Sequence, residues 1–391
     1  MASSLARRRF LERSAAAAAG TLAVAAAGAA ASRKIRVGVI GCGSVSHAYL
    51  PHLARSPFVE LVSVCDIVPE RAVAAAKAHG IAEHHAGVEA MLGGAAFDLF
   101  VNLTDMQEHE RLNRLAIAAG RHVWSEKPIA NSVAAAADLL ALAKRGGTRL
   151  WAAPTVVASP QFATMVNLLG ENRLGRVAAA HASYGHTGPD WAPFFYAEGG
   201  GSLPDLGVYP LTTLTGLLGP ARHVTAMVST VTPTRTIKGQ GEIAVVAEDN
   251  AQVLLDHGSG VISHVQCGFN YFSARSHDER SQHHHSLTIA GSAGTLALAG
   301  YDWAPHGVDL ATRDHGGEFQ RLSREPGGYA WENGASLAAE SLATGRELPI
   351  TPEQAIHVLE IMQAAVEAQR TGRRVTLETT FTWPIRGLSE V

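Results

Sequence analysis

One segment limits the fold more than any other. A short, largely apolar run, Arg36-Val37-Gly38-Val39-Ile40, enters the turn Gly41-Cys42-Gly43-Ser44-Val45-Ser46, and a helical pattern follows over residues 44–54. An apolar run of that length reads as a strand buried on both faces. Each small residue of the turn has a task. Gly41 permits the tight reversal, Gly43 lets a diphosphate come close to the backbone, and Ser46 lets helix pack on strand. Ser44 and Val45 open the helix, where unpaired N–H groups and the positive end of the dipole face a phosphate.

The context is an alternation of strands and helices. A second strand over 59–64 ends at Cys65-Asp66, and Asp66 follows Gly43 by 23 residues. That is near the spacing of an acid that accepts the ribose hydroxyls of a dinucleotide. An acid there repels a 2′-phosphate, so NAD is favoured over NADP, although Arg71 would tolerate a phosphate. Further strands are expected over 98–103, 122–124 and 150–153, with helices over 108–119 and 133–144 between them. The alternation predicts a doubly wound parallel sheet with ligands at the carboxyl ends of its strands. Thr104 stands at one such end and Ser125-Glu126-Lys127-Pro128 at another. The dinucleotide-binding domain is therefore expected over 32–154. Residues 155–391 should form a second domain, with strand-like runs at 177–184, 223–231, 251–256, 260–269, 286–290 and 295–298. Helices over 331–343 and 352–370 close the chain, and the last is expected to pack back on the first domain.

Glu126-Lys127-Pro128, the Thr104 to His109 segment, the glycine turn and Asp205-Leu206-Gly207-Val208-Tyr209 together resemble the glucose–fructose oxidoreductase, inositol dehydrogenase and MocA family. Asp105 and Thr212 depart from patterns common in it. The resemblance implies an α/β protein: a Rossmann-type domain plus an α/β domain with an open, mostly antiparallel sheet. It implies an NAD(P)-dependent oxidoreductase acting on CH–OH groups of a sugar, inositol or related polyol, and a homo-oligomer (dimer or tetramer). Lys127 is then the group that hydrogen-bonds the reacting oxygen and shares its proton. Tyr209, one helical turn beyond Asp205, gives or takes a proton at the same oxygen, and Asp205 orients the sugar or Lys127. His109 and Glu126 join Thr104 and Lys127 at the cofactor edge. Trp191, Tyr196 and the Gly199 to Gly201 run are candidates for a sugar platform. Two other readings use the same scaffold: a redox-neutral NAD-dependent glycosidase and a non-catalytic regulator that binds cofactor or sugar.

Composition removes other classes. The 391 residues are 47% hydrophobic and 17% charged with a formal net charge of −3, so no basic excess points to nucleic acid. Three cysteines, Cys42, Cys65 and Cys267, exclude a disulfide framework. His283-His284-His285 with His277 invites a metal reading, but consecutive strand residues point to opposite faces, and no metal is expected. Residues 1–31 read as an export signal of the twin-arginine type. Arg7-Arg8 with Phe10-Leu11 precedes an Ala-rich run in which 12 of 17 residues are Ala, ending in an Ala-x-Ala site. The twin-arginine export machinery is thus an expected partner, and the location is periplasmic or extracytoplasmic. An exported enzyme has no free NAD pool, so the cofactor should be tightly held.

Overall fold

The computed structural model of the chain describes residues 33–272, 284–323 and 329–385. The leader, His277 and His283 lie outside them. The first domain is a six-stranded sheet of β1 (Ile35–Ile40), β2 (Val59–Cys65), β3 (Glu83–His85), β4 (Leu99–Asn102), β5 (His122–Ser125) and β6 (Leu150–Ala152). Its order is β3-β2-β1-β4-β5-β6 and every pairing is parallel. Central strands such as β1 and β4 are buried on both faces, with Val37, Val39, Leu99 and Val101 fully enclosed, which is why they read as continuous apolar runs. The crossovers are α1 (Ser46–Arg55), α2 (Pro69–His79), α3 (Val88–Gly93), α4 (His109–Ala118) and α5 (Val133–Gly146). The order reverses between β1 and β4, so a crevice opens at their carboxyl ends.

The second domain begins with α6 (Pro160–Gly170), capped by Ser159 Oγ, which accepts from the Phe162 amide. Its strands are β7 (Val177–Gly185), β8 (His223–Ser229), the hairpin β9 (Thr234–Ile237) and β10 (Gly241–Ala244), β11 (Asn250–Asp256), β12 (Ile262–Gly268), β13 (His285–Gly291), β14 (Gly294–Tyr301), β15 (Ala304–Thr312), β16 (Gln320–Ser323) and β17 (Val375–Thr376). Apart from the hairpin they form one nine-stranded sheet, β16-β15-β14-β13-β7-β12-β11-β8-β17, antiparallel except for the β7–β12 pair. Helices α6 and α7 (Val208–Leu218) pack against this sheet. Met227, Leu254 and Ile262 are exposed on it.

Two helices tie the halves together. α8 (Gly334–Thr344) packs on α1 and β1, and α9 (Pro352–Thr371) spans α5, α7 and β8. Thr351 caps α9 through the Gln354 amide, and Pro352 supplies a first-turn residue whose missing N–H costs nothing there. Lys144 pairs with Glu353 at 3.0 Å across this junction. The sequence pattern missed the short edge strands β3 and β17, the hairpin β9–β10 and the strands β15 and β16. Edge and hairpin strands are half-solvated and carry no strong apolar period; that reason does not cover β15, which lies between β14 and β16 and is buried from Gly307 to Thr312. The 331–343 pattern opens as a 3₁₀ turn, Trp331–Asn333, before α8.

Candidate active site

A groove of about 740 Å³ lies over the glycine turn, lined by Gly43, Ser44, Ser46 and Arg71. Gly41 has φ +89, and a Cβ there would lie 2.6 Å from the Leu103 carbonyl carbon and oxygen, so only glycine fits. Gly43 differs: a Cβ would meet nothing within 4 Å. The fold itself makes no demand for glycine at 43, but a group approaching the backbone from the groove does. No side chain caps α1. The His47 and Ala48 amides already donate to the Ser44 and Val45 carbonyls, at 3.2 and 3.1 Å, so an anion in the groove would meet the amides of the glycine turn ahead of them. Asp66 sits beside them at the end of β2. Its Oδ2 accepts from the Cys42 amide and its Oδ1 from the Val68 amide, both at 2.8 Å. Each oxygen keeps a further acceptor position. These features fit a dinucleotide.

Next to the groove a cavity of about 320 Å³ opens between the two domains. Val45 and Thr104 line it from the first domain, together with His109, Glu126 and Lys127; Asp205 and Tyr209 line it from the second. Lys127 Nζ donates to Asp205 Oδ1 at 2.8 Å and to the Asp205 carbonyl at 2.9 Å. Side-chain exposure is 12% and 15%, so the pair is mostly withdrawn from water. An ammonium has three donors, so one N–H of Lys127 remains uncommitted. Lys127 does not pair with the neighbouring Glu126 side chain. That carboxylate accepts from Tyr49 Oη at 2.6 Å and from the Lys127 amide at 3.1 Å.

Asp205 and Tyr209 share the cavity for a reason finer than helix periodicity. Residues Leu203–Gly207 form a π turn that continues into α7. This turn keeps both side chains on the cavity wall. Gly207 lets it pack: a Cβ there would be 3.1 Å from Cys267 Sγ. The Tyr209 ring lies under Lys127 Nζ, 5.4 Å from its centroid, and meets Trp303 edge-on at 4.8 Å. Burial pushes the Tyr209 phenol well above its usual range, helped by the negative charges of Glu126, Asp205 and Asp302. It is therefore a neutral hydrogen-bond donor at physiological pH.

His109 is held more tightly than its place at a helix start suggests. Nδ1 is 2.7 Å from the Pro128 carbonyl and Nε2 3.0 Å from the Thr104 carbonyl. Burial lowers its proton affinity, against the pull of those two carbonyls. The ring bridges the loops that carry Thr104 and Lys127. Thr212 Oγ1 back-bonds to the Val208 carbonyl and is buried in α7. Of the proposed sugar platform, Trp191 lines the cavity, while Tyr196 is buried with its hydroxyl on the Pro189 carbonyl. Gly199 and Gly200 line a different cavity, beyond the π turn. His186, Phe195, Trp303 and Trp331 line the site without any sequence motif around them. Only the β14–β15 hairpin and the 3₁₀ turn before α8 bring the last two there. His285 pairs with Asp309 at 2.7 Å, away from this site.

Comparison with known proteins agrees with both halves. Residues 35–153 match the oxidoreductase family with an NAD-binding Rossmann fold, and residues 162–297 match the GFO/IDH/MocA C-terminal domain. D-apiose dehydrogenase of Paraburkholderia graminis is 24% identical over 89% of this chain and 91% of its own. The dTDP-3,4-didehydro-2,6-dideoxy-alpha-D-glucose 3-reductase of Streptomyces violaceoruber is 30% identical over 61% of this chain and 68% of its own. The aldose-aldose oxidoreductase of Caulobacter crescentus, complexed with glycerol, shares the fold with a TM-score of 0.75, at 22% identity, over 88% of this chain and all of that one. Since both consecutive domains match in order, each on one of the two sheets, the chain belongs to the glucose–fructose oxidoreductase, inositol dehydrogenase and MocA family of NAD-binding oxidoreductases.

Proposed function

We propose that the protein is an exported, NAD-dependent oxidoreductase that moves hydride between a tightly held nicotinamide and a CH–OH carbon of a sugar, inositol or related polyol. The observation that carries this reading is the Lys127–Asp205 pair facing Tyr209 in a cavity that adjoins the glycine turn. Gly43, Ser44, the amides of the glycine turn, Asp66 and Arg71 would hold the dinucleotide, with Val45 and Thr104 at the edge of the cavity. When bound, the nicotinamide supplies the hydride acceptor or donor.

The chain's own residues handle the proton. As the pair stands, Lys127 Nζ is held by Asp205 and turned toward the cavity. It is thus armed to give a proton to the oxygen of a carbonyl being reduced. Tyr209 donates a second hydrogen bond to that oxygen. In the oxidative direction Lys127 takes the proton back. Asp205 fixes the ammonium and stabilises its charge. Burial by the surrounding aromatic rings strengthens each of these interactions.

The test is spectroscopic. Purified, desalted protein should carry nicotinamide nucleotide, and its reduced band should rise or fall on adding a polyol or its ketone. Protein without nucleotide that is also inert when NAD is added would overturn the reading. The export proposal rests on Arg7-Arg8 and the Ala-rich run. Arg7→Lys with Arg8→Lys should hold the protein in the cytoplasmic fraction, and unchanged fractionation would reject it. A dimer or tetramer is proposed from the exposed apolar residues Met227, Leu254 and Ile262, and a monomer in sedimentation at micromolar concentration would count against it.

A further inference from the structure

The groove over the glycine turn has a wall that the first domain does not supply. Besides Gly43, Ser44 and Arg71, it is lined by Trp191, Phe194 and Gln240 of the second domain. Gln240 ends the three-residue loop Lys238-Gly239-Gln240 that joins β9 to β10, with Ile237 and Gly241 as the closing pair. Gly239, at φ +76, supplies the left-handed residue that such a loop needs.

The hairpin is not held in place by its own ladder. Two strands alone are marginal in water, and of its strand residues only Ile237 is buried. Arg235 anchors its base. That guanidinium is 14% exposed; Nη2 donates to the Phe269 carbonyl at 2.8 Å and to Asn270 Oδ1 at 2.7 Å, and it lies 3.5 Å from the fully buried Asp249 carboxylate. At the tip, the Lys238 amide donates to the Asp190 carbonyl at 2.7 Å, and Lys238 Nζ pairs with the Asp190 carboxylate at 2.9 Å. The tip is thereby tied to the residue before Trp191, and Trp191 and Phe194 line both the groove and the catalytic cavity. Base and tip are fixed, yet the Gln240 side chain on the groove wall has no hydrogen-bond partner among the described residues. An unengaged carboxamide offers two N–H donors. The glycine turn in the same groove is where a diphosphate comes close to the backbone.

We propose that Gln240 is a nucleotide-binding residue: the β9–β10 hairpin of the second domain closes over the groove, and the Gln240 carboxamide donates to the diphosphate of the dinucleotide. The proposal rests on the functional reading above and extends its cofactor site to the second domain. The experiment is equilibrium dialysis of the full chain against radiolabelled NAD, for the parent and four variants. Gln240 is exposed in its turn, so its substitutions leave the fold intact. Gln240→Ala loses a hydrogen bond to an anion, and Kd is expected to rise about fivefold or more. Gln240→Glu keeps the size but sets a negative charge against the diphosphate, and Kd should rise about fivefold further. Gln240→Lys restores a donor with a matching charge and should bind at or below the parent Kd. Glu242→Gln changes charge on the same hairpin at an exposed position off the groove, and its Kd should stay within twofold of the parent. Gln240 variants that all bind within twofold of the parent overturn the proposal. So does a Gln240→Glu protein that binds as tightly as the parent, or a Glu242→Gln protein that shifts as far as the Gln240 variants. A parent that takes up no NAD overturns the cofactor reading and this proposal together; a parent that binds NAD with the Gln240 series flat overturns the hairpin contact alone.

Discussion

Replacing Lys127 by Met keeps the length of the side chain and removes the charge with its three donors. Two losses follow. Asp205 Oδ1 and the Asp205 carbonyl lose the donors at 2.8 and 2.9 Å, and the carboxylate is left without its cation. Breaking a fully buried pair costs about 3–5 kcal/mol. This pair keeps 12% and 15% exposure, so a loss of about 2–3 kcal/mol in stability is expected. The second loss is catalytic. A positioned proton donor is worth about 10²–10⁴-fold, or about 3–5 kcal/mol of barrier. The loss should fall on kcat, because a single hydrogen bond to the bound oxygen changes KM by about tenfold at most. Asp205→Asn supplies the control. It can still accept from Lys127, so its loss is smaller. In the double variant Asp205 has nothing left to act through. Its activity should equal that of Lys127→Met alone, while its stability exceeds that of Lys127→Met because the unpaired carboxylate is gone. The assay is steady-state kinetics from the reduced nicotinamide band beside urea unfolding. A Lys127→Met protein that keeps its nucleotide and turns over within fivefold of the parent would refute the reasoning.

Three further outcomes follow from the geometry. Gly41→Ala should destabilise the first domain by about 2–5 kcal/mol in urea titrations, combining a positive φ with overlap on the Leu103 carbonyl; a loss under about 0.5 kcal/mol would show that the turn relaxes freely. Tyr209→Phe should lower kcat by about 10–100-fold with little effect on stability, since the hydroxyl has no partner among the described residues and the ring contact with Trp303 survives; unaltered kcat would remove Tyr209 from the chemistry. His357 is buried with Nε2 accepting from the Ala221 amide and Nδ1 against the Thr379 carbonyl, and burial holds it down to about 4. The unfolded chain takes up the proton first, near 6.5. Stability from this group is therefore constant above that value and falls as the pH drops from 6.5 toward 4, by up to about 3 kcal/mol. His357→Gln should lose this acid-sensitive component in unfolding titrations between pH 4 and 7, and an unchanged slope would reject the assignment.

Much of the first domain could be read from residues 35–153 because local physics and global topology agree there. Strands buried on both faces are continuous apolar runs, and helices between them carry turn and cap signals such as Ser132 at α5. Gly41, Gly43 and Asp66 announce a dinucleotide crevice because each has a backbone or charge requirement that acts within a few residues of it. Lys127 and Tyr209 were recognisable as motif residues. Most of their neighbours in space were not, although Asp205 was expected to orient either the sugar or Lys127. That Lys127 pairs with Asp205 rather than the adjacent Glu126 depends on a second domain laid against the first, the partners being 78 positions apart in the chain. The π turn over Leu203–Gly207, which keeps Asp205 and Tyr209 on one wall, has no pattern of its own in the sequence.

The amino-acid order alone thus determined the parallel sheet, the glycine turn and the chemical types at its strand ends, since these follow from periodicity and local conformational limits. Only the tertiary structure decided what surrounds the reacting oxygen. Trp303 and Trp331 arrive from a hairpin and a 3₁₀ turn far along the chain, and a buried side chain's partners are chosen by packing, to which sequence neighbours contribute little.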